Sequence, residues 1–131
     1  MIKSSSSLPL AITCGDPAGV GPEVIESVLR EDSLCADDCL LIGPEQWASS
    51  VSKLYGLNYE EVGHPNYIPQ PGAPSTEGAR IALEAMECAA AGCRKGRFRG
   101  VVTGPVSKHW MQQAGFNFPG HTEFFAKAWG G

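Results

Sequence analysis

Short apolar runs that stop at a glycine or proline turn, each followed directly by a helical pattern, constrain the fold of this chain most. Residues 8–13 form the first run, which stops at the glycine-rich turn of residues 14–21. Pro22 suits the first position of a helix, which we predict to extend to about Arg30. An apolar run of this length is typical of a buried strand, so the segment is predicted to fold as strand, turn and helix.

The same pattern follows in the next part of the chain. Residues 39–42 are predicted as a second strand, Gly43-Pro44 opens a second helix, and residues 59–62 are predicted as a third strand. The four prolines within residues 63–75 exclude a helix and a central strand, so this segment is predicted to be a loop. Helical spacing predicts that the second helix turns inward the side chains of Trp47, Val51, Leu54 and Tyr55.

The remaining elements complete a layered arrangement. Ser75 is predicted to cap a helix that begins near Thr76, followed by a strand at residues 100–103, a short helix at 106–114 and a last helix at 122–129. The apolar stripe of the long helix consists of Ile81, Ala82, Ala85, Met86, Ala89 and Ala90. This order predicts an α/β fold, a layered sheet with flanking helices and some parallel pairing.

Composition restricts the class of protein. The chain has 131 residues, of which 43% are hydrophobic, enough for one core of ordinary domain size. The net charge of −4 offers no basic surface for nucleic acid, and the basic cluster at residues 94–99 is interpreted as a solvated helix end. Neither a signal peptide nor a membrane span is recognisable. We therefore expect a soluble, cytoplasmic protein without nucleic-acid or membrane partners, and we predict a disordered tail at residues 1–7.

The cysteines point to a reducing compartment. There are five, an odd number, and they form no Cys-x-x-Cys pair. Free thiols in the cytoplasm explain this usage. A metal site built on Cys35 and Cys39 is the alternative, and it would need a second pair of ligands.

The glycine-rich turn of residues 14–21 is the first candidate site. Its glycines allow a sharp turn and close approach to a ligand, while the helix that follows points free N–H groups at the loop. On this interpretation a nucleotide cofactor is bound by Gly15, Asp16, Gly19 and Gly21. The spacing differs from the dinucleotide fingerprint Gly-x-Gly-x-x-Gly. The alternative is an ordinary strand-to-helix turn in which Asp16 and Glu23 serve the helix start.

A second candidate site follows the strand at residues 100–103. Thr103 and Ser107 offer hydroxyl donors to a phosphate around a Gly-Pro bend. Lys108 is a candidate phosphate clamp or proton-transfer partner, and a solvated helix lysine is the alternative. His109 is interpreted as a helix-end histidine, and His64, within the loop, as solvent-facing.

His121 and Thr122 form the third candidate site. They lie at a predicted helix start, where an imidazole and a hydroxyl stand beside backbone N–H groups that have no intrahelical partner. Thr122 is also a candidate helix cap, while Phe124 and Phe125 are predicted to pack inward. A phosphate or carboxylate suits such a place. We therefore predict that Thr103, Ser107, Lys108, His121 and Thr122 form one anion pocket.

Three segments in this order resemble the 4-hydroxythreonine-4-phosphate dehydrogenase (PdxA) family. They are Gly-Asp-Pro-Ala-Gly-Val-Gly-Pro-Glu at residues 15–23, Val-Thr-Gly-Pro-Val-Ser-Lys at 102–108 and Pro-Gly-His-Thr-Glu-Phe-Phe at 119–125. The first also resembles the glycine turn of isocitrate and isopropylmalate dehydrogenases. The resemblance implies a part of their two-domain fold, with residues 1–131 as the N-terminal portion of a PdxA-like dehydrogenase.

The resemblance also implies an activity. It is NAD- or NADP-dependent oxidation of 4-phosphooxy-L-threonine and decarboxylation to 3-amino-2-oxopropyl phosphate, in vitamin B6 biosynthesis, by a homodimer. His121 and Thr122 match the family's substrate-binding pair. The family uses a divalent metal (Zn, Mg or Co), whose ligands lie beyond residue 131.

Because those ligands are missing, the resemblance implies that the 131-residue chain alone is inactive, with Lys108 as its single candidate catalytic residue. Two alternatives stay open. One is a truncated, catalytically inert module that binds phosphometabolites, and the other is a related dehydrogenase that acts on another hydroxy acid.

Overall fold

The computed structural model describes residues 8–31, 36–116 and 120–130. Within these residues the strands are β1 (Leu10–Thr13), β2 (Cys39–Gly43), β3 (Asn58–Glu61) and β4 (Gly100–Thr103). The helices are α1 (Gly21–Glu31), α2 (Glu45–Tyr55), α3 (Thr76–Arg94), α4 (Lys108–Gln113) and α5 (His121–Ala128). The predicted order of elements is confirmed, and the largest shifts of a boundary are two residues, at the starts of β1 and α4.

The four strands form one parallel sheet in the order β3-β2-β1-β4. β1 is paired on both edges, with Leu10 opposite Cys39 of β2 and Gly100 of β4. The predicted α/β class is therefore confirmed. The chain passes from β1 to β2 on one side and returns to β4 on the other, so the carboxyl ends of β1 and β4 form a topological switch point. Ligands of open α/β sheets bind in the crevice at such a point.

Helices cover both faces of the sheet, because alternate strand residues point to opposite sides. On one face Ile12 packs with Ile25 and Leu29 of α1 and with Val51 of α2. On the other face Ala11 packs against the alanine-rich side of α3. The side of the sheet on which a strand residue lies can therefore be read from its position in the strand.

α3 begins and packs as predicted. The Ser75 hydroxyl oxygen accepts a hydrogen bond from the backbone N–H of Gly78 at 3.0 Å, which caps the helix. Every residue of the predicted apolar stripe is buried. The small alanine side chains allow α3 to lie close to the sheet, with contacts to β1, β2 and β4.

α5 is held against α3 by apolar packing and one hydrogen bond. Phe124 and Phe125 are buried, as predicted, in a cluster that also contains Met86 of α3 and Met111 of α4. The indole N–H of Trp129 donates to the carbonyl oxygen of Ala90 at 3.1 Å. These contacts fix the position of the α5 N-terminus, which carries His121 and Thr122.

The predicted inward face of α2 is wrong at one position. Leu54 is 70% exposed, whereas Ala48, Val51 and Ser52 are buried. The helix turns its small residues toward the sheet because they permit close approach, and this rotates Leu54 into solvent. Periodicity of large apolar residues alone misses that rotation.

The basic segment at residues 94–99 was predicted to be solvated, but one of its side chains makes contacts with the protein. Arg97 forms an ion pair with Glu60 of β3, and its guanidinium lies over the Phe98 ring. The predictions for residues 1–7, for Cys35 and for Pro119 lie outside the described residues. Among the helices in the described ranges, none has the length and apolar character needed to cross a membrane.

Candidate functional site

The glycine turn after β1 packs directly against the bend after β4. Gly15 has φ of +70°, and a Cβ at this position would lie 2.4 Å from the carbonyl oxygen of Pro105. A Cβ on Gly104 would lie 2.6 Å from the carbonyl oxygen of Cys14, and one on Gly21 would lie 2.4 Å from the same oxygen. Glycine at 15 and 104 is therefore explained by the close contact of the two segments, and glycine at 21 by the close return of the turn to Cys14.

Asp16 serves the turn itself. It is buried, and its Oδ1 accepts a hydrogen bond from the backbone N–H of Ala18 at 2.9 Å. The backbone N–H of Gly72, from the proline-containing loop, donates to the carbonyl oxygen of Ala18 at 2.8 Å. Both bonds are made at Ala18, before α1, which begins at Gly21, so Asp16 stabilises the turn rather than the first turn of the helix.

Tyr67 of the same loop approaches Asp16. The Tyr67 hydroxyl and Oδ1 of Asp16 lie 3.1 and 3.5 Å from the place that a Cβ on Gly78 would take. Burial first, and then the negative charge of Asp16, raise the pKa of the Tyr67 hydroxyl. The loop at residues 63–75 thus contacts the glycine turn and the start of α3 together.

A cleft of about 460 Å³ on the α3 side of the sheet brings three of the predicted residues together, and we call it the His121 cleft. Its lining is Val101, Thr103, His121, Thr122, Phe125, Ala126 and Trp129. Thr103 comes from the carboxyl end of β4, and His121 and Thr122 come from the first turn of α5. Two segments that are distant in sequence therefore meet at the switch-point edge of the sheet.

The His121 cleft has an imidazole nitrogen and a threonine at the N-terminus of α5. The Nε2 atom of His121 is buried and has no hydrogen-bond partner among the described residues. The helix cap is Gly120, with no side-chain cap bond, so the prediction that Thr122 caps α5 is wrong and its hydroxyl is available to a ligand. A Cβ on Gly120 would lie 3.2 Å from Oε2 of Glu123, so this carboxylate lies over the same helix end.

A second cleft, of about 360 Å³, separates other predicted residues from the first. Its lining is Asp16, Ala18, Gly19, Val20, Pro74, Pro105, Val106, Ser107 and Trp110. The Ser107 hydroxyl oxygen caps α4 by accepting from the Trp110 N–H at 3.4 Å, which leaves its own proton to donate. Ser107 therefore does not line the cleft that holds Thr103 and His121.

The remaining predicted residues lie outside the linings of both clefts. Lys108 is exposed at the first residue of α4 and is absent from the lining of both clefts. His109 is exposed, and its ring stacks edge-on against Trp110 at 5.3 Å. His64 is also exposed, as predicted, and its Nδ1 accepts from the Asn66 N–H at 3.0 Å.

Sequence reasoning missed an apolar groove between α1 and β4. The side chains of Val24, Val28 and Val102 line it and are 51%, 46% and 49% exposed. The signal was present as valines four residues apart at 20, 24 and 28 of α1 and its preceding turn, since such spacing places side chains on one face of a helix.

The described residues fit the metal and the nucleotide that the family resemblance implies to different degrees. Within residues 8–31, 36–116 and 120–130, no three His, Cys, Asp or Glu side chains are grouped as metal ligands, so these residues do not fit a complete metal site. The nucleotide fits the glycine turn in part. Gly19 is exposed on the second cleft, whereas Gly15 and Gly21 are closed off by backbone.

The fold and the cleft define an α/β protein with a parallel sheet and a polar crevice at its switch point. Residues 27–131 match the model of the family described as "Pyridoxal phosphate biosynthetic protein PdxA". The chain belongs to the PdxA family.

Similar proteins agree with this assignment. The 4-hydroxythreonine-4-phosphate dehydrogenases of Erythrobacter litoralis and Thioalkalivibrio sulfidiphilus are 33% and 34% identical to this chain, over 93% and 90% of it. The chain spans only 42% and 41% of their length.

Solved structures agree with the fold. A crystal structure of the 4-hydroxythreonine-4-phosphate dehydrogenase from Klebsiella pneumoniae matches 93% of this chain and 44% of its own, with a TM-score of 0.76 and 26% identity. A terephthalate 1,2-cis-dihydrodiol dehydrogenase from Burkholderia xenovorans shares the fold, with a TM-score of 0.68 and 18% identity over 90% of this chain.

Proposed function

We propose that this chain supplies the phosphate- and substrate-binding part of an NAD(P)-dependent 4-hydroxythreonine-4-phosphate dehydrogenase of pyridoxal phosphate biosynthesis. Membership of the PdxA family and the names of the similar proteins support the reaction class. The observation that carries the proposal is the buried Nε2 of His121, which lacks a partner among the described residues and lines a cleft with two threonines.

In the proposed complex the His121 cleft binds the phosphate of the substrate. Nε2 of His121 and the hydroxyls of Thr103 and Thr122 donate to phosphate oxygens. The N-terminus of α5 adds its free N–H groups and the positive end of its dipole. Ser107 and Lys108, on the bend after β4, are proposed as further substrate contacts.

Holding the phosphate fixes the position of the rest of 4-phosphooxy-L-threonine. The C3 hydroxyl loses a proton and C3 loses a hydride. The β-keto acid that results releases carbon dioxide, and C2 takes up a proton in place of the lost carboxylate to give 3-amino-2-oxopropyl phosphate. NAD or NADP, when bound, accepts the hydride. The proposed role of this chain is orientation, which accelerates such a step by keeping the reacting carbon in place.

The cofactor contact is proposed at the glycine turn through Gly19 and Asp16, which line the second cleft, while Gly15 and Gly21, closed off by backbone, give the turn its shape. The described residues do not assemble a complete metal site. A homodimer and a cytoplasmic location belong to the same proposal and rest on resemblance to the family.

An inert phosphometabolite-binding module is the second candidate, favoured by the lack of a grouped set of metal ligands in the described ranges. Calorimetric titration with 4-phosphooxy-L-threonine, with and without Zn²⁺ or Mg²⁺, separates the two. Substrate binding that the metal strengthens supports the enzyme, even where the 131-residue chain forms no NADH or NADPH, and binding that the metal leaves unchanged supports the module.

For the 131-residue chain assayed alone we expect binding without turnover, because the assayed chain spans under half the length of its relatives. Clear substrate-dependent NADH formation by the purified chain would refute that expectation. Failure to bind the phosphorylated substrate in any condition would refute the proposal.

A further inference from the structure

Thr13, the last residue of β1, carries an unusual hydroxyl. The residue is 1% exposed, and its Oγ1 has no hydrogen-bond partner among the residues that the structure describes. A buried hydroxyl without a partner is unfavourable, since it has left water without compensation. Because this hydroxyl lies near the crevice at the switch point, a bound ligand is a way for it to gain a partner.

The sheet register places Thr13 beside the His121 cleft. Thr13 is opposite Thr103 in the parallel β1–β4 pair, just as Ala11 is opposite Val101. Ala11 and Val101 belong to the cluster on the α3 side, and residues two apart in a strand share a face. The side chains of Thr13 and Thr103 therefore lie on the same face, and neighbouring strands are about 4.8 Å apart. Thr103 lines the cleft, and the buried Thr13 is its neighbour on the adjacent strand.

We propose that Thr13 is a positioning residue for anion binding, acting through Thr103. This inference rests on the proposed function of the His121 cleft. An unprotonated phosphate oxygen only accepts, so a Thr103 hydroxyl bonded to it directs its single proton to the anion, which leaves the lone pairs of the Thr103 oxygen free. The Thr13 hydroxyl then donates to the Thr103 oxygen. It gains its missing partner, fixes the orientation of the Thr103 hydroxyl and strengthens the bond to the anion through polarisation.

Calorimetric titration of inorganic phosphate into the purified chain and two variants tests the inference. Thr13→Val keeps the shape and removes the hydroxyl, so we expect about fivefold weaker phosphate binding, as for the loss of one hydrogen bond that supports a charged contact. Its Tm is expected to be equal or higher, because an unsatisfied group is removed. Thr13→Ser keeps a hydroxyl, and its phosphate affinity is expected to stay close to that of the unmodified chain.

Ser52 of α2 provides a matched control. Its hydroxyl is also buried without a partner among the described residues, and it belongs to a helix on the opposite face of the sheet. Ser52→Ala is expected to leave phosphate affinity unchanged. Thr13→Ala is a second variant without the hydroxyl, which keeps the test decisive if the valine variant does not fold.

The outcomes distinguish the inference from the proposal on which it rests. If the unmodified chain binds phosphate and Thr13→Val binds it equally well, the inference is overturned and the proposed function stands. Equal weakening by Thr13→Val and Thr13→Ser also overturns it, since a lost hydroxyl would not then be the cause. If the unmodified chain binds no phosphate, the proposed function fails and the inference fails with it.

Discussion

The backbone N–H of Asp16 donates a hydrogen bond to the carbonyl oxygen of Pro105 at 2.9 Å. This bond joins the glycine turn after β1 to the Gly-Pro bend after β4. Both segments border the crevice at the switch point, so the bond sets the separation of its two walls. The site therefore depends on close backbone packing as much as on the side chains that face a ligand.

Replacing Gly15 with alanine tests that packing. The Cβ would meet the Pro105 oxygen at 2.4 Å, and the residue would also adopt a left-handed conformation with φ of +70°. We expect Gly15→Ala to lower the free energy of unfolding by at least about 3 kcal/mol, measured by urea denaturation. Gly56 is the control, because it has φ of +69° with no neighbouring atom within 4 Å of its Cβ position. Gly56→Ala should cost only about 1 kcal/mol, and equal costs for the two variants would contradict the account.

The corrected orientation of α2 gives a second prediction. Val51 is 3% exposed and Leu54 is 70% exposed, although both are large apolar residues of the same helix. Val51→Ala leaves a cavity in the core and is expected to destabilise the protein by about 2 kcal/mol. Leu54→Ala should stay within about 0.5 kcal/mol of the unmodified chain. Thermal or urea unfolding measures both. A larger loss of stability in Leu54→Ala than in Val51→Ala would support the inward orientation of Leu54 that periodicity predicts.

Cys14 predicts a dependence of stability on alkaline pH. Burial raises the pKa of its thiol from 9.0 to about 12. Below pH 9 the contribution of the protonated thiol to stability is complete. As the pH rises from 9 toward 12, the unfolded thiol ionises before the folded one, so stability falls by up to about 1.4 kcal/mol per pH unit.

The measurement is urea unfolding below and above the ordinary pKa of the thiol. Cys14→Ala should show a shallower decline than the unmodified chain, because the other groups that titrate at alkaline pH are common to both. Parallel declines would mean that the Cys14 thiol is ionised equally in the two states.

Glu123 predicts a gain in affinity. Its carboxylate lies over the N-terminus of α5, beside the cleft proposed to bind an anion. Like charges repel, so Glu123→Gln is expected to strengthen phosphate binding about threefold in a calorimetric titration at low salt. Glu77→Gln, an exposed glutamate in the first turn of α3, serves as the control and should have no effect. Weaker binding by Glu123→Gln would show that this side chain contributes a favourable contact.

The sequence predicts the fold well because its signals are local. Each strand is followed within two residues of its end by a glycine or proline, and the cap at Ser75 follows from the chemistry of a single hydroxyl. The failure at Leu54 has a tertiary cause, since the close approach of Ala48 and Ser52 to the sheet decides the rotation of α2.

The candidate site was predictable only in part. The pairing of Thr103 with His121 and Thr122 follows from two motifs that both end at a ligand-binding edge. The placement of Ser107 in a different cleft depends on the path of the Gly-Pro bend, which spacing does not reveal. The unsatisfied hydroxyl of Thr13 requires knowledge of the β1–β4 register, a contact between residues far apart in the chain.

Chemical-shift mapping of inorganic phosphate on the ¹⁵N-labelled chain shows whether the His121 cleft binds an anion. We expect saturable shifts that are largest at the amides of Thr103, His121 and Thr122, and that are much reduced in His121→Ala while His64→Ala behaves as the unmodified chain. Shifts confined to the basic segment at residues 94–99, with none at His121, would contradict anion binding in this cleft.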